Sequence, residues 1–419
     1  MTKNSSREPL FHITKRGATV WWKPLFIRAI AIVAGLFIGL CFAAAYTKVN
    51  PFKLLGYMFS GAFGTQKRIW NLLQDTALLL MVSIAIVPAF KMKFWNIGAD
   101  GQTLVGCLAS AVAIYYLYDK LPTWALLLVM LLFSLTAGMI WGVIPAIFKA
   151  KWNTNETLFT LMMNYVAIQL VSFVLLKWFP SGQNDFAKFF SRYGNMPKLG
   201  NPYVLILIFA VVLTVTMHFY LSKTKHGFEV SLVGESVNTS KYVGVNVKKV
   251  IIRTMILSGA ICGFVGFALV AAKDHAITTT MVGGRGFTAI IVAWLAKFNP
   301  AYMALASLMV AFLSRGTSQI LSQTGITNSA LPNIVTALVF FFIIGCEFFI
   351  TYSIKFRKKN KDATPANEPP APETSEPAKE PSSPSSEEET PSLAEAPAEE
   401  RTPAEEALPT EITEGGEEK

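Results

Sequence analysis

Between two long apolar runs the chain places Asn96-Ile97-Gly98-Ala99-Asp100-Gly101-Gln102, with a carboxylate, two amides and two glycines in seven residues. Such groups can hold a hydroxyl-bearing solute by hydrogen bonds, or satisfy the open N–H groups at a helix start. Glycine lets the backbone bend or approach closely. Irregular backbone and an ionised carboxylate are both costly in hydrocarbon, and persist where protein buries them or a cavity wets them. Two readings of Asp100 follow: a cap for the helix start, or a direct contact for solute.

A second constellation is Asn153, Glu156, Thr160 and Asn164, spaced three and four apart. On a helix these share one face. A polar stripe entering an apolar run either lines a path or hydrogen-bonds neighbouring helices together. A third is the stretch from His226 to Val247, which contains Glu229, Gly234, Val237, Lys241, Tyr242 and Gly244. It is too polar to cross a bilayer. Val237, Lys241 and Tyr242 fall on one side of a short helix that Gly244 would stop. Such a helix is a docking element for a soluble partner, or an interfacial loop held by its basic residues.

Other features carry no chemistry. Gly259, Gly263 and Gly266 lie at spacings that let helix backbones approach closely, so they read as packing. Gly283-Gly284-Arg285-Gly286 lacks the Lys-Ser/Thr and the preceding strand of a phosphate loop, and reads as a flexible lead-in to a helix. The sequence has no GxxxxGK[ST], HExxH or GxSxG motif, and four histidines in all. Cys41, Cys107, Cys262 and Cys346 sit far apart in apolar runs, as packing residues rather than disulfide or metal ligands. The body reads as a conduit and not as an enzyme, with no cofactor of its own.

The elements that must position these residues are membrane helices. Hydrophobic residues make up 52% of the 419. A helical crossing needs about 20 apolar residues. Eight runs qualify: Leu25–Tyr46, Leu72–Phe90, Ile97–Tyr118, Thr123–Phe148, Leu158–Phe179, Pro202–Leu221, Ile251–Ala272 and Leu331–Ser353. Two shorter runs, Gly286–Phe298 and Ala301–Ser314, flank Asn299-Pro300 and form a hairpin or two short buried helices. The fold class expected is all-α, a polytopic membrane helix bundle of about ten transmembrane helices. Ala43-Ala44-Ala45 resembles a cleavage site, but the run before it is too long for a signal core, so the first span is expected to be retained.

Charge divides the chain further. Residues 362–419 hold 17 acidic and 3 basic residues and half of the 22 prolines, leaving 34 of the 37 basic residues in the rest. That composition cannot build a core, and predicts a disordered acidic tail. The expected organisation is a cytoplasmic N-terminus over 1–24, a transmembrane domain over 25–353 with a cytoplasmic loop at 222–250, a basic juxtamembrane segment at 354–361, and the tail. Lys and Arg collect on the cytoplasmic side. With ten spans, Lys91, Lys93, Lys149, Lys151 and the basic residues of 222–253 share one face with both termini. Lys48, Lys53, Lys67 and Arg68 dissent.

Four stretches carry a resemblance to a known family. Asn96–Gln102 is similar to NIGAEGQ, with Asp100 in place of Glu. Asn155-Glu156-Thr-Leu-Phe-Thr160-Leu-Met-Met-Asn164-Tyr165 is similar to NEV-x-x-TLMLNY. Gly234-x5-Ser-Lys-Tyr242-Val-Gly244-Val is similar to a coupling loop, G-x-N-x-x-AA-x-Y-x-GI. Gly284-Arg-Gly286-Phe287-Thr288-Ala-Ile-Ile-Val-Ala293 is similar to G-x-GFTGIAVA. Over roughly residues 50–350 the chain resembles permease subunits of bacterial ABC importers for nucleosides and simple sugars, within the branched-chain amino acid and sugar permease family. It departs at Thr239-Ser240, where the family has Ala-Ala, and at Ser231, Ser236 and Lys93, where it has Arg, Asn and Gly.

The resemblance implies a division of labour. The partners would be an ATP-binding cassette ATPase, which alone uses ATP, a second permease subunit and an extracellular substrate-binding lipoprotein, with membrane lipid around the chain and no nucleic acid. Its length and its NIGADGQ motif make this chain look like the larger of the two permeases. Nucleosides are the implied solutes and simple sugars the alternative. Asn96, Asp100, Gln102, Glu156, Thr160 and Asn164 would lie on the substrate pathway. Glu229, Gly234, Val237, Lys241, Tyr242 and Gly244 would couple to the ATPase. An ion-driven secondary transporter would more often show internal repeats with paired broken helices, which this sequence lacks. A scaffold acting through its tail is a further alternative.

Overall fold

The computed structural model describes residues 11–15, 22–178, 192–197, 200–325 and 330–356. The acidic segment 362–419 and the end of the basic segment before it lie outside the described residues. Thirteen helices are found among the described residues. They are α1 (Trp22–Thr47), α2 (Pro51–Phe63), α3 (Gln66–Lys91), α4 (Ala99–Leu117), α5 (Thr123–Trp152), α6 (Glu156–Trp178), α7 (Val204–Lys223), α8 (Lys225–Glu235), α9 (Val237–Tyr242), α10 (Val247–Ala268), α11 (Arg285–Leu295), α12 (Pro300–Thr324) and α13 (Ala330–Thr351). A π-helical turn, Leu269–Asp274, continues α10.

Eight of these helices are long and apolar enough to cross a membrane. The 19-residue α4 and the 11-residue α11 complete the ten expected. Two expectations shift. The run Ala301–Ser314 is no short element but part of the 25-residue α12, because Arg315 and the polar residues after it continue the helix and Asp75 neutralises the arginine. The second is α2, absent from the expected spans, whose buried Leu54 and Met58 pack it against α12. Arg68, one of the dissenting cations, is tied down by donating to the Ser60 carbonyl at 2.7 Å.

The centre of the bundle is α3 and α10, buried along most of their length and wrapped by the other helices. Close approach there depends on missing side chains. A Cβ on Gly259 would strike Gly138 of α5, and one on Gly263 would strike Ser134. Ser134 Oγ fills the seam within hydrogen-bonding distance of the carbonyls of Gly106 and Gly263, which share its one proton. Cys107 and Cys262 are buried as packing residues near this seam. At the periphery α1 lies against α13, joined by an Arg28–Glu347 ion pair.

β1 (Phe11–Lys15) and β2 (Tyr352–Phe356) pair antiparallel, Phe11 opposite Phe356 and Lys15 opposite Tyr352. This ribbon puts the segments before α1 and after α13 on one face of the bundle, as an even number of crossings requires.

Candidate functional site

The starts of α4 and α6 and the lead-in to α4 form one knot. After α3 the chain turns back, with Phe94 N–H bonding to the Ala89 carbonyl, and reaches Asn96, which is fully buried. Asn96 Nδ2 donates to Ser258 Oγ at 3.2 Å, and its Oδ1 accepts from Gly98 N at 3.0 Å and Gln102 Nε2 at 3.3 Å. Asn164 of α6 serves both sides of the break: its Oδ1 accepts from Gly101 N at 2.8 Å, and its Nδ2 donates to the Ile97 carbonyl at 3.0 Å. Thr160 Oγ1 accepts from Ile97 N at 3.2 Å. Asn164 is eight residues along α6, so the break lies about 12 Å inside that helix's start. Open N–H and C=O groups at such a depth need protein partners, and these side chains supply them.

Asp100 sits in the first turn of α4, and its Oδ1 accepts from Gly286 N, the second residue of α11, at 2.8 Å. The carboxylate therefore caps a helix, but a different one from its own, and within the bundle rather than at its surface. Two helix N-termini meet at one negative charge, the sign that their dipoles favour. Gly286 permits it: a Cβ there would come within 2.6 Å of the Asp100 backbone nitrogen. Gly283 and Gly284, both at positive φ, make the turn that delivers α11. Glu156, expected on the pathway, pairs with Lys149 of α5 at 2.9 Å. On α6, Glu156, Thr160 and Asn164 thus hold elements together, while Asn153 lies off this helix at the end of α5.

A charged cluster that sequence reasoning did not single out lies at the other end of α10. Asp75 of α3 receives Lys273 at 3.0 Å, Arg285 at 3.7 Å and Arg315. Arg285 also donates to the carbonyls of Met281 and Val282. Beside the cluster is a cavity of about 560 Å³, lined also by Asp274, Thr278, Thr288, Ser314 and Asn333. A second cavity of about 270 Å³ adjoins it, lined by Asp100, Leu104, Asn164, Tyr165 and Phe287, and the two share Thr280 and Gly283 as a wall. The available signal was Asp75 itself, a lone carboxylate in the second apolar run, followed by cations at the edges of three later ones.

At the opposite end, about 30 Å along α10 from Lys273, α8 and α9 form a ledge. Thr224 and Ser236 cap the two helices through their hydroxyls. Of the six residues expected to couple, four are at the tip: Val237, Lys241, Tyr242 and Gly244 are exposed, Tyr242 by 92%, and Gly244 takes φ +83° just past the end of α9. The other two face inward. Gly234 packs directly on the Lys91 carbonyl. Glu229 accepts from Arg253 of α10 at 2.8 Å, with His226 Nδ1 3.6 Å away. The hydrogen bond from Arg253 holds the Glu229 carboxyl below its usual value. Ser240, at a position of the resembled Ala-Ala pair, is buried and donates to the Ser236 carbonyl, so its hydroxyl is satisfied internally.

A helical bundle with eight helices long and apolar enough to cross a membrane, a polar cavity at one end and an exposed helical ledge at the other is a multi-pass membrane protein. The model of the branched-chain amino acid transport system / permease component family matches residues 68–344, and the chain belongs to that family. The glucose ABC transporter permease protein TsgB13 of Haloferax volcanii is 31% identical over 82% of this chain and 93% of its own length. The guanosine ABC transporter permease protein NupP of Bacillus subtilis is 27% identical over 79% of this chain and 95% of its own. The nucleoside ABC transporter permease protein NupB of Lactococcus lactis subsp. cremoris is 27% identical over 77% and 91%. The chain is accordingly a permease component of an ABC importer, set in the cell membrane, and its family is not one of enzymes.

Proposed function

We propose that this chain is the larger permease of a nucleoside importer, and that α8–α9 receives the ATPase whose cycle drives alternating access. The observation that carries the coupling half is the α9 tip, where Val237 and Tyr242 are exposed at the end of a ledge anchored by Gly234 and the Glu229–Arg253 pair. Exposed aromatic and aliphatic side chains on a rigid ledge are what a partner surface buries. In this reading both termini are cytoplasmic, ATP is used by the partner alone, and a second permease and an extracellular lipoprotein complete the system. The guanosine and nucleoside permeases among its relatives support the choice of solute, and the glucose permease supports the simple-sugar alternative.

The test is uptake of labelled guanosine, adenosine, uridine, ribose and glucose by cells with and without this chain. A drop confined to nucleosides supports the proposal, and a drop confined to sugars replaces the solute. For coupling, Tyr242→Ala is expected to leave folding unchanged while weakening ATPase co-purification by about tenfold to thirtyfold, the loss typical of an interface anchor. Undiminished co-purification with Tyr242→Ala and Val237→Ala combined would place the ATPase elsewhere.

A further inference from the structure

We propose that the two adjoining cavities form one divided solute site, the polar one taking the sugar of a nucleoside and the apolar one its flat base. This inference rests on the nucleoside reading above and specifies where each half of the solute sits. Three observations carry it.

The first is the contrast in linings. The 560 Å³ cavity presents charged and hydroxyl-bearing groups, and among the described residues no aromatic side chain lines it. It suits a molecule covered in hydroxyls. Asp75 is already occupied by three cations, which leaves for a ribose Asp274 (its Oδ1 3.9 Å from Lys273), Asn333 and the threonines of the lining, with Asp274 and Asn333 both exposed. Carboxylate and amide oxygens accept from vicinal hydroxyls, and the amide nitrogen donates back. The 270 Å³ cavity offers Phe287, Tyr165, Leu104 and Ile168 instead. Phe287 and Tyr165 both line this cavity, and aromatic rings at a cavity wall stack on flat bases.

The second is continuity. Thr278 lines the polar cavity, Thr279 the apolar one, and Thr280 and Gly283 both. The divider is therefore one short stretch of chain, which a two-part molecule can straddle. The third is that the divider is fixed at both ends: Lys273 before it and Arg285 after it both pair with Asp75, and the Gly286–Asp100 hydrogen bond ties the helix that follows to α4. A site held by ion pairs and helix starts is preorganised, which binding requires.

The experiment is photolabelling in membranes of cells that carry the whole importer, with two adenosine probes. One bears an azide on the base and the other a diazirine on the ribose, and labelled peptides are read by mass spectrometry. The base probe is expected to mark Tyr165 or Phe287, and the ribose probe the Asp274–Thr278 stretch or Asn333. Two variants add a functional readout. Phe287→Ala is expected to slow adenosine uptake about threefold to tenfold, the worth of one aromatic stack. Asn333→Ala is expected to cut the preference for adenosine over 2′-deoxyadenosine by about the same factor, the worth of one hydrogen bond. Swapped labels, both probes in one cavity, or neither peptide marked in cells that import adenosine would overturn the divided site. Cells that import sugars and no nucleoside would overturn the nucleoside reading beneath it, and are recognised by uptake alone.

Discussion

Asp100 offers the sharpest separation of a structural role from a transport role. Its Oδ1 accepts the Gly286 N–H at 2.8 Å, away from bulk water. A hydrogen bond to a charged acceptor contributes about 1.5–3 kcal/mol, and a carboxylate at a helix N-terminus about 0.3–1 kcal/mol more. Asp100→Ala, which removes both and orphans a buried N–H, should therefore cost about 2–4 kcal/mol. Asp100→Asn keeps an oxygen in place and loses the charge, so it should cost about half as much. Asp100→Glu restores the residue of the resembled motif, but its extra methylene must fit beside Gly286, where space is already short, for about 1 kcal/mol. The assay is thermal unfolding of the purified importer in detergent, run beside uptake in cells. If Asp100 acts as a cap, uptake should follow stability across the three variants. Loss of uptake in Asp100→Asn at unchanged unfolding temperature would refute the capping argument and return Asp100 to direct contact with solute.

Other outcomes follow from the same geometry. Gly263→Ala drives a methyl against the Ser134 carbonyl and within 3.0 Å of its carbon, and should cost about 2 kcal/mol or more in thermal unfolding, whereas Gly56→Ala meets nothing within 4 Å and should be neutral or stabilising by up to about 1 kcal/mol. Asp75→Asn leaves Lys273, Arg285 and Arg315 facing one another and should destabilise by about 3 kcal/mol, while Arg315→Met leaves two cations on the carboxylate and should cost less than half of that by the same measurement. Glu229 is held below its usual pKa by Arg253, so its contribution is complete at neutral pH and is lost as pH falls through the lowered value. Hydrogen exchange over 225–243 should thus be equally protected from pH 8 to about 5 and weaken below about 4, and Glu229→Gln should be less protected at neutral pH with that acid step gone.

The helical fold was legible because hydrocarbon imposes a simple rule, and every long apolar run became a helix. What escaped it were elements that do not span. FHITK and YSIKF alternate apolar and polar residues, a strand signal in plain view, but each is five residues long and their pairing joins positions more than 300 apart. α2 is half the length of a span, so a search for spans passes over it although Asn50-Pro51 and the polar run Thr65–Arg68 bound it. Among site residues, the six expected to couple to a partner fell in one place because a helix, its cap and its stop are local features. Of the two readings that spacing left open for the α6 stripe, a path or a glue between helices, only the structure says that the face of Thr160 and Asn164 meets the broken start of α4. The Asp75 cluster draws its members from α3, α11, α12 and the end of α10, so no local pattern could assemble it.

The same contrast explains why the polar residues divide as they do. A helix that starts inside a bundle exposes N–H groups that lipid cannot satisfy, so each such start needs side chains of its own. Asn96, Thr160 and Asn164 satisfy the lead-in to α4, and Asp100 satisfies the start of α11. With those groups committed, what remains for solute is the surface that no helix start claims: Asp274, Asn333 and the threonines of the divider on one side, Tyr165 and Phe287 on the other. Two half-buried helix starts joined through one carboxylate also link the divider to α4 and α6. The end of α3, from which that lead-in departs, packs on the α8–α9 ledge through Lys91 and Gly234. A displacement of that ledge therefore meets packed contacts at Lys91 and then hydrogen bonds at Asn164 and Asp100 on the way to the divider.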